Sequence, residues 1–284
     1  MLLKLITIVC FLFVSTHIEA QLIDEVEKKQ KDTMTTWQMI KYDTKTTLQS
    51  VSHAFSRPLH WKGKNYKDLA FLLTGSAVLS LADHPSRDFF RRNAEDFPGG
   101  LRDFGWYFGS PQNYFMVNAG LYGYGLLTKN EKIRKVSVLI ISSSITTGLI
   151  QTFTKNAIGR ARPETGFDNL TFEPFANDAG FRAFPSGHTV LSVTMAHSIA
   201  KQFDNVWVKA GIYTIGAIPP ISRLVDDAHW VTDIAFSTVL SILVVDTIDN
   251  FLFGNDKYEY SKKEKKISWN IGFGGNTIGI IGTF

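Results

Sequence analysis

"SRLVDDAHWVTD", residues 222–233, stands between the pair Pro219-Pro220 and an apolar run from Ile234 to Val245. It places an arginine, a histidine and three aspartates at the threshold of a hydrophobic helix. Half-buried chain carries such groups only where partners satisfy them or a ligand employs them. What stands beside this stretch must come from elsewhere in the chain, and finding it fixes the architecture.

The chain has 284 residues, enough for one large domain or two small ones with a full core. Hydrophobic residues make up 44%, and the mean hydropathy of -0.01 is ordinary for a soluble protein and low for a polytopic membrane protein. A net charge of +4 suits anionic substrates or lipid head groups and is too weak to argue for nucleic acid. The opening "MLLKLITIVCFLFVSTHIEA" resembles a secretory signal: Lys4 is the positive start, Leu5 to Val14 the apolar core, and Ala20 the small residue before a cut. Its apolar core is shorter than the ~20 residues of a spanning helix. Residues 1–20 are therefore expected to be a signal peptide and the protein to be exported, to the periplasm or cell envelope. Cleavage would remove Cys10, the single cysteine, and with it any disulfide or thiol chemistry.

Residues 21–65 are polar, with loosely helical spacing around Trp37, Ile40, Leu48 and Val51, and read as an N-terminal helix and linker. Apolar, uncharged runs follow at Leu69–Ala82, Pro111–Thr128, Val136–Thr154, Thr189–Ala200, Ala210–Ser222 and Ile234–Val245. Proline, glycine or charged residues separate them, so the pattern predicts six helices packed as a bundle. The segment 253–284 differs: "KYEYSKKEKK" (257–266) is a basic connector, and the alternation in "ISWNIGFGGNTIGIIGTF" (267–284) around Gly274-Gly275-Asn276 predicts a β-hairpin. Two strands cannot close a membrane barrel, whose smallest forms have about eight.

Length and charge disagree about a membrane. Most of the runs hold 12–14 uncharged residues, against roughly 17–25 for a span. Yet Lys129, Lys132, Arg134 and Lys135, then Lys201 and Lys209, then the basic connector would all fall on one side of a six-span protein. That topology would leave residues 21–65 in the cytoplasm, which a cleaved signal forbids. The exported, non-spanning bundle is the favoured reading, with attachment to a membrane surface left open.

Three clusters hold the polar groups that the opening stretch requires. In "KNAIGRARP", Lys155 and Arg162 are seven residues apart, which on a helix reaching Arg162 puts both cations on one face. Taken alone, they suit a helix C-terminus. In "FPSGHTV", Ser186 is a candidate N-cap, and the free N–H groups of the first turn attract anions beside Gly187 and His188. In the opening stretch, His229 and Asp233 share a helical face, so Asp233 can hold one ring nitrogen and leave the other free. Arg223 offers a planar fork for an oxyanion.

The combined pattern is K-x6-RP, then 21 residues, PSGH, then 33 residues, SR-x5-H-x3-D. It resembles the three-part signature of the type 2 phosphatidic acid phosphatase and vanadium haloperoxidase superfamily, with all eleven specified positions present. The motifs cover 155–233, and the helix pattern extends the resemblance over 66–250. It implies an all-α six-helix bundle over a phosphatase domain at 66–252, to which the reading of 253–284 adds the short hairpin. It also implies residue roles. Lys155, Arg162 and Arg223, with Ser186 and the N–H of Gly187, would grip phosphate oxygens. His229 would attack phosphorus, Asp233 would orient it, and His188 would protonate the leaving oxygen and then activate water.

Fixed cations and a helix N-terminus would stabilise the charge without a divalent metal. No cofactor is expected, and His53, His60 and His84 show no ligand spacing. Arg160 is read as solvated, His197 as a satisfied core histidine, and Asp226 and Asp227 as solvated. Segment 164–184 carries five phenylalanines, suited equally to an acyl-chain entrance and to packing. The expected activity is hydrolysis of a phosphomonoester, a lipid phosphate or isoprenoid pyrophosphate before a small soluble ester. A periplasmic non-specific acid phosphatase, a vanadate-dependent haloperoxidase and a non-catalytic envelope module remain as alternatives. No oligomeric state follows from the sequence.

Overall fold

The structure is a computed structural model that describes residues 34–254, 258, 268–274 and 277–283. The expected signal at 1–20, the stretch 21–33, the basic connector apart from Tyr258, and the turn residues Gly275 and Asn276 lie outside the described residues.

Those residues are mostly helical. The nine α-helices among them are α1 (Thr36–Ser56), α2 (Gly63–Leu79), α3 (Asp83–Arg92), α4 (Gly99–Phe108), α5 (Pro111–Leu127), α6 (Glu131–Ile158), α7 (Gly187–Ala200), α8 (Val206–Val225) and α9 (Val231–Leu252). The expected count of six is thus too low. Each apolar run lies within or along a helix, but α1, α3 and α4 have no long apolar run of their own. Of these, α1 starts at a capping box in which Gln38 N–H bonds Thr35 Oγ1 and Thr35 N–H bonds Gln38 Oε1. Beyond the bundle, Ser268–Gly274 (β1) and Thr277–Thr283 (β2) pair antiparallel, with Ser268 opposite Thr283 and Gly274 opposite Thr277.

The core joins α6, α7 and α9. Val138 and Leu139 pack with Val244, Val245, Ile248 and Leu252, and a second cluster gathers Tyr114, Ile140, Leu191 and Met195. α6 buries Ser137, Ser144, Thr146 and Thr147 as well, although half of its apolar run is Ser, Thr, Gln and Gly. Their hydroxyls donate to carbonyls four residues back at 2.6–2.9 Å, so a polar composition is compatible with burial.

Helix length corrects one sequence argument. The run at Val136–Thr154 is the middle of a 28-residue helix, and that at Ile234–Val245 the middle of a 22-residue one. By length and composition both could cross a membrane, with 50% and 39% of their apolar windows buried inside the protein. α2 buries none of its residues. Phe71 on it is 81% exposed, Leu127 at the end of α5 87%, and Trp207 on α8 82%. Aromatic and aliphatic groups are thus turned outward on several helices.

Chain direction places the polar motifs together. α6 and α8 run toward one end of the bundle, where α7 and α9 begin. That end gathers the four termini that carry "KNAIGRARP", "FPSGH" and the opening stretch.

Candidate active site

Lys155 lies in the last turn of α6, which stops at Ile158 because Gly159 takes a left-handed conformation, φ 60°. A side chain there would also collide with the chain: a Cβ would stand 1.7 Å from the Glu173 carbonyl oxygen. The condition that would put Lys155 and Arg162 on one helical face, a helix reaching Arg162, is therefore not met. Arg162 follows in extended chain, φ −78° and ψ 151°. The segment is threaded between two parts of the Phe-rich loop: Ala161 N–H bonds Thr171 O at 3.0 Å, Arg162 N–H bonds Gly180 O at 2.7 Å, and Ala183 N–H bonds Arg160 O at 3.0 Å.

Ser186 is the N-cap residue of α7, with its N–H bonded to Ser237 Oγ on α9 at 2.8 Å and its hydroxyl accepting from Thr189 Oγ1 at 3.0 Å. Gly187 and His188 open the helix, where the first N–H groups have no carbonyl behind them. The His188 ring lies 5.6 Å from that of Trp106 on α4, and Arg223 at the end of α8 stacks 4.5 Å above the same indole. Trp106 thus walls one side and holds two of the expected residues in place.

His229 is buried in the turn before α9, not on the helix as the four-residue spacing suggests; α9 starts at Val231. Its Nδ1 still lies 3.5 Å from Asp233 Oδ2, longer than a formed hydrogen bond. Asp233 is third in the helix, and its Oδ2 also accepts the Trp230 N–H at 2.8 Å.

Burial and neighbouring charges shift several of these groups. Burial is the main reason the His229 imidazole is pushed down to about 4, with Lys155 and Arg162 adding to the effect against Asp233. Burial likewise takes His188 to about 3, helped by Arg223, His229 and Lys155. Lys155 is lowered to about 8 by burial first and then by Arg162, with Asp233 opposing and Arg182 contributing. The structure therefore brings Lys155, Arg162, His188, Arg223, His229 and Asp233 into one another's fields, with Ser186 and Gly187 adjoining. Buried donor atoms remain without a partner at Arg162 Nε, Arg182 Nε, Arg223 Nε and His188 Nε2. Native interiors satisfy such atoms. An oxyanion among them would do so. Among the described residues no three His, Cys, Asp or Glu side chains gather as a metal-binding group.

Three sequence readings change. Arg160 is not solvated: it is 4% exposed and bonds Asp233 and Asp83. Asp226 pairs with both Arg223 and Arg102. Asp227 accepts from Arg87 Nε at 2.7 Å and Nη2 at 2.8 Å. Trp106, Asp83 and Arg182 were not foreseen. Arg182 adjoins the PSGH motif and could have been noticed there. Asp83 and Trp106 precede the motifs by tens of residues and give no local signal. His197 bonds Tyr213 Oη at 2.7 Å and Asp246 Oδ1 at 3.1 Å, far along α7 from the site.

Comparison with known proteins fits this arrangement. The family model described as PAP2 superfamily matches residues 136–253. A lipid A 1-phosphatase of Rhizobium etli is 40% identical over 78 residues, 25% of this chain and 34% of that protein. One of Porphyromonas gingivalis is 23% identical over 158 residues, 53% of this chain and 33% of that protein. The chain thus spans about a third of the length of these curated relatives. A crystal structure of Aquifex aeolicus LpxE aligns with 57% of this chain and 92% of its own, at 18% identity and a TM-score of 0.41, a likeness too loose to argue from.

Proposed function

The chain belongs to the PAP2 superfamily, and from that premise we propose that it is a membrane-associated phosphatase that hydrolyses a lipid-borne phosphate monoester through a phosphohistidine. The observation that carries the reading is the convergence of unspent cationic donors on two neutral imidazoles, one of them facing a carboxylate. The names of the relatives and the outward apolar side chains of α2, α5 and α8 favour a lipid substrate over a small soluble ester.

The chemistry follows from the environments. His229 is neutral at physiological pH, so its Nε2 lone pair is available to attack phosphorus while Asp233 accepts Nδ1–H and stabilises the imidazolium that forms. Lys155, Arg162 and Arg223, with the α7 N-terminus at Ser186 and Gly187, hold the equatorial oxygens. The P–O bond to the lipid breaks as a P–N bond forms, and His188 gives its proton to the departing oxygen. Neutral His188 then takes a proton from water, whose oxygen attacks phosphorus. The P–N bond breaks, inorganic phosphate leaves, and both histidines return to their starting states.

His188 must be protonated for the first step although burial among cations holds it at about 3. A phosphate dianion reverses that field and favours the imidazolium, so the acid is formed by the substrate's own arrival.

The test is turnover of phosphatidate, a lipid A 1-phosphate and p-nitrophenyl phosphate with EDTA present, comparing the native protein with His229→Ala and trapping the phosphoenzyme. Metal-independent turnover, lost in His229→Ala, with an acid-labile phosphoryl group on residue 229, is expected. Loss of activity on chelation, or the phosphoryl group on another side chain, overturns the mechanism. A preference for p-nitrophenyl phosphate over both lipids overturns the substrate class.

A further inference from the structure

Arg160 and Asp83 have no part in the chemistry just described, yet they are among the most thoroughly bonded side chains in the protein. The guanidinium gives Nη1 to Asp233 Oδ1 and to Thr232 Oγ1, both at 2.6 Å, Nη2 to Asp83 Oδ2 at 2.6 Å, and Nε to Asn169 O at 2.8 Å. Asp83, the first residue of α3, is 0% exposed. It accepts the Thr232 N–H at 3.0 Å and Asn169 Nδ2 at 3.0 Å. Thr232 and Asp233 are the second and third residues of α9, so Asp83 caps from outside the helix whose start carries the site.

Two buried carboxylates and one guanidinium are a costly arrangement for stability alone, since apolar packing of the same volume serves as well or better. The network does something packing cannot. Asp233 Oδ1 is tied to Arg160 and Oδ2 to the Trp230 N–H. The plane of the carboxylate is therefore fixed, with Oδ2 3.5 Å from His229 Nδ1. Trp230, 1% exposed, closes the arrangement: its Nε1–H bonds Ala161 O at 2.8 Å and its ring lies under the Arg160 and Arg87 guanidinium groups at 5.7 and 5.6 Å.

We propose that Arg160, backed by Asp83, is a positioning residue that holds the Asp233 carboxylate in place beside His229. The inference rests on the reading of His229 as the nucleophile.

The test measures kcat, KM and the pH profile of kcat/KM on p-nitrophenyl phosphate for Arg160→Gln, Arg160→Lys, Asp83→Asn and His229→Ala. The charged groups facing His229 are Asp233, Lys155, Arg162 and His188, and those facing Asp233 are Arg160, Lys155 and His229. All but Arg160 are untouched in the first three variants. Arg160→Gln is expected to lower kcat on the order of 10²-fold, with KM within about threefold, because orientation and not binding is lost. Its acid limb should move to higher pH, since removing a cation beside Asp233 favours the imidazolium of His229. Asp83→Asn should move the limb the other way, because Arg160 is then less neutralised. It keeps an acceptor for Thr232 N–H, so it decides the matter if Arg160→Gln does not fold. Arg160→Lys should restore the limb while kcat stays low, as a single ammonium cannot serve both carboxylates. Coincident acid limbs in all variants, or a KM rise of about tenfold at native kcat, overturn the proposal. If His229→Ala keeps its turnover, the reading of the nucleophile fails. If it is inactive while the other three match the native enzyme, only the role of Arg160 fails.

Discussion

Gly109 offers the sharpest measure of how tightly the site is built. It caps α4, and a Cβ added to it would stand 2.5 Å from His188 Cδ2 and 2.9 Å from His188 Cβ. Carbon atoms pack at about 3.5–4.0 Å, so in Gly109→Ala the imidazole has to retreat by roughly 1 Å. Its backbone, φ −82° and ψ −7°, accepts alanine without strain, so the cost falls on the contact and not on the turn. A misplacement of about 1 Å in a catalytic group costs on the order of 10²-fold in kcat, and overpacking costs about 1–3 kcal/mol of stability. The assay is steady-state hydrolysis of phosphatidate and p-nitrophenyl phosphate, with thermal unfolding of the same samples. Gly120→Ala on α5 is the control, because a Cβ there meets nothing within 4 Å. That variant should keep its kcat and unfold no earlier than the native protein, since alanine is the better helix former by about 1 kcal/mol. Folded Gly109→Ala with kcat within about threefold of native would refute this reasoning, showing that the ring at 188 has room to move or takes no part in the reaction.

The two buried histidines should make stability depend on pH. Both are held below the usual value of about 6.5, so the unfolded chain binds more protons between that value and about 4, and stability, complete above pH 6.5, declines as pH falls through this window. For His229 the loss amounts to about 3 kcal/mol by pH 4.5, and denaturant unfolding of His188→Gln/His229→Gln should lack this part of the pH dependence; an unchanged slope contradicts the burial argument. Phosphate binding near pH 8, where the free anion is already the dianion, should take up about one proton, as the anion turns the field at His188, measurable by calorimetry in buffers of different ionisation enthalpy; zero uptake refutes substrate-formed acid. Gly159→Ala combines a positive φ with a Cβ 1.7 Å from a backbone oxygen, and should cost at least about 3 kcal/mol. Unfolding at the native temperature would show that the end of α6 is not held where the structure has it.

The site solves a problem set by its own charges. Burial first, and then Lys155 and Arg162 at His229 and Arg223 and Lys155 at His188, hold both imidazoles neutral, which in the proposed mechanism keeps the nucleophile free but disarms the acid. Placing His188 at a helix N-terminus among these cations would let one incoming dianion rearm it. Trp106 and Gly109, from α4, hold that ring without adding a charge, so the balance is left to the phosphate.

Local sequence determined what depends on near neighbours along the chain. Apolar runs bounded by Gly and Pro marked the helices, and the order and spacing of three motifs marked the residues that converge, because helix starts and ends are written in a few adjacent side chains. Where those helices stop was less legible: Gly159 ends α6 four residues after Lys155 because a carbonyl from residue 173 leaves no space for a Cβ, a fact invisible in "KNAIGRARP". The fate of charged residues was decided by tertiary structure alone. Arg160, Asp226 and Asp227 read as solvated, yet each is paired, and the partners of Arg160 come from residues 83, 169, 232 and 233. Whether a charge meets water or an opposite charge is set by which surfaces the fold presses together, and separation along the chain carries no record of it.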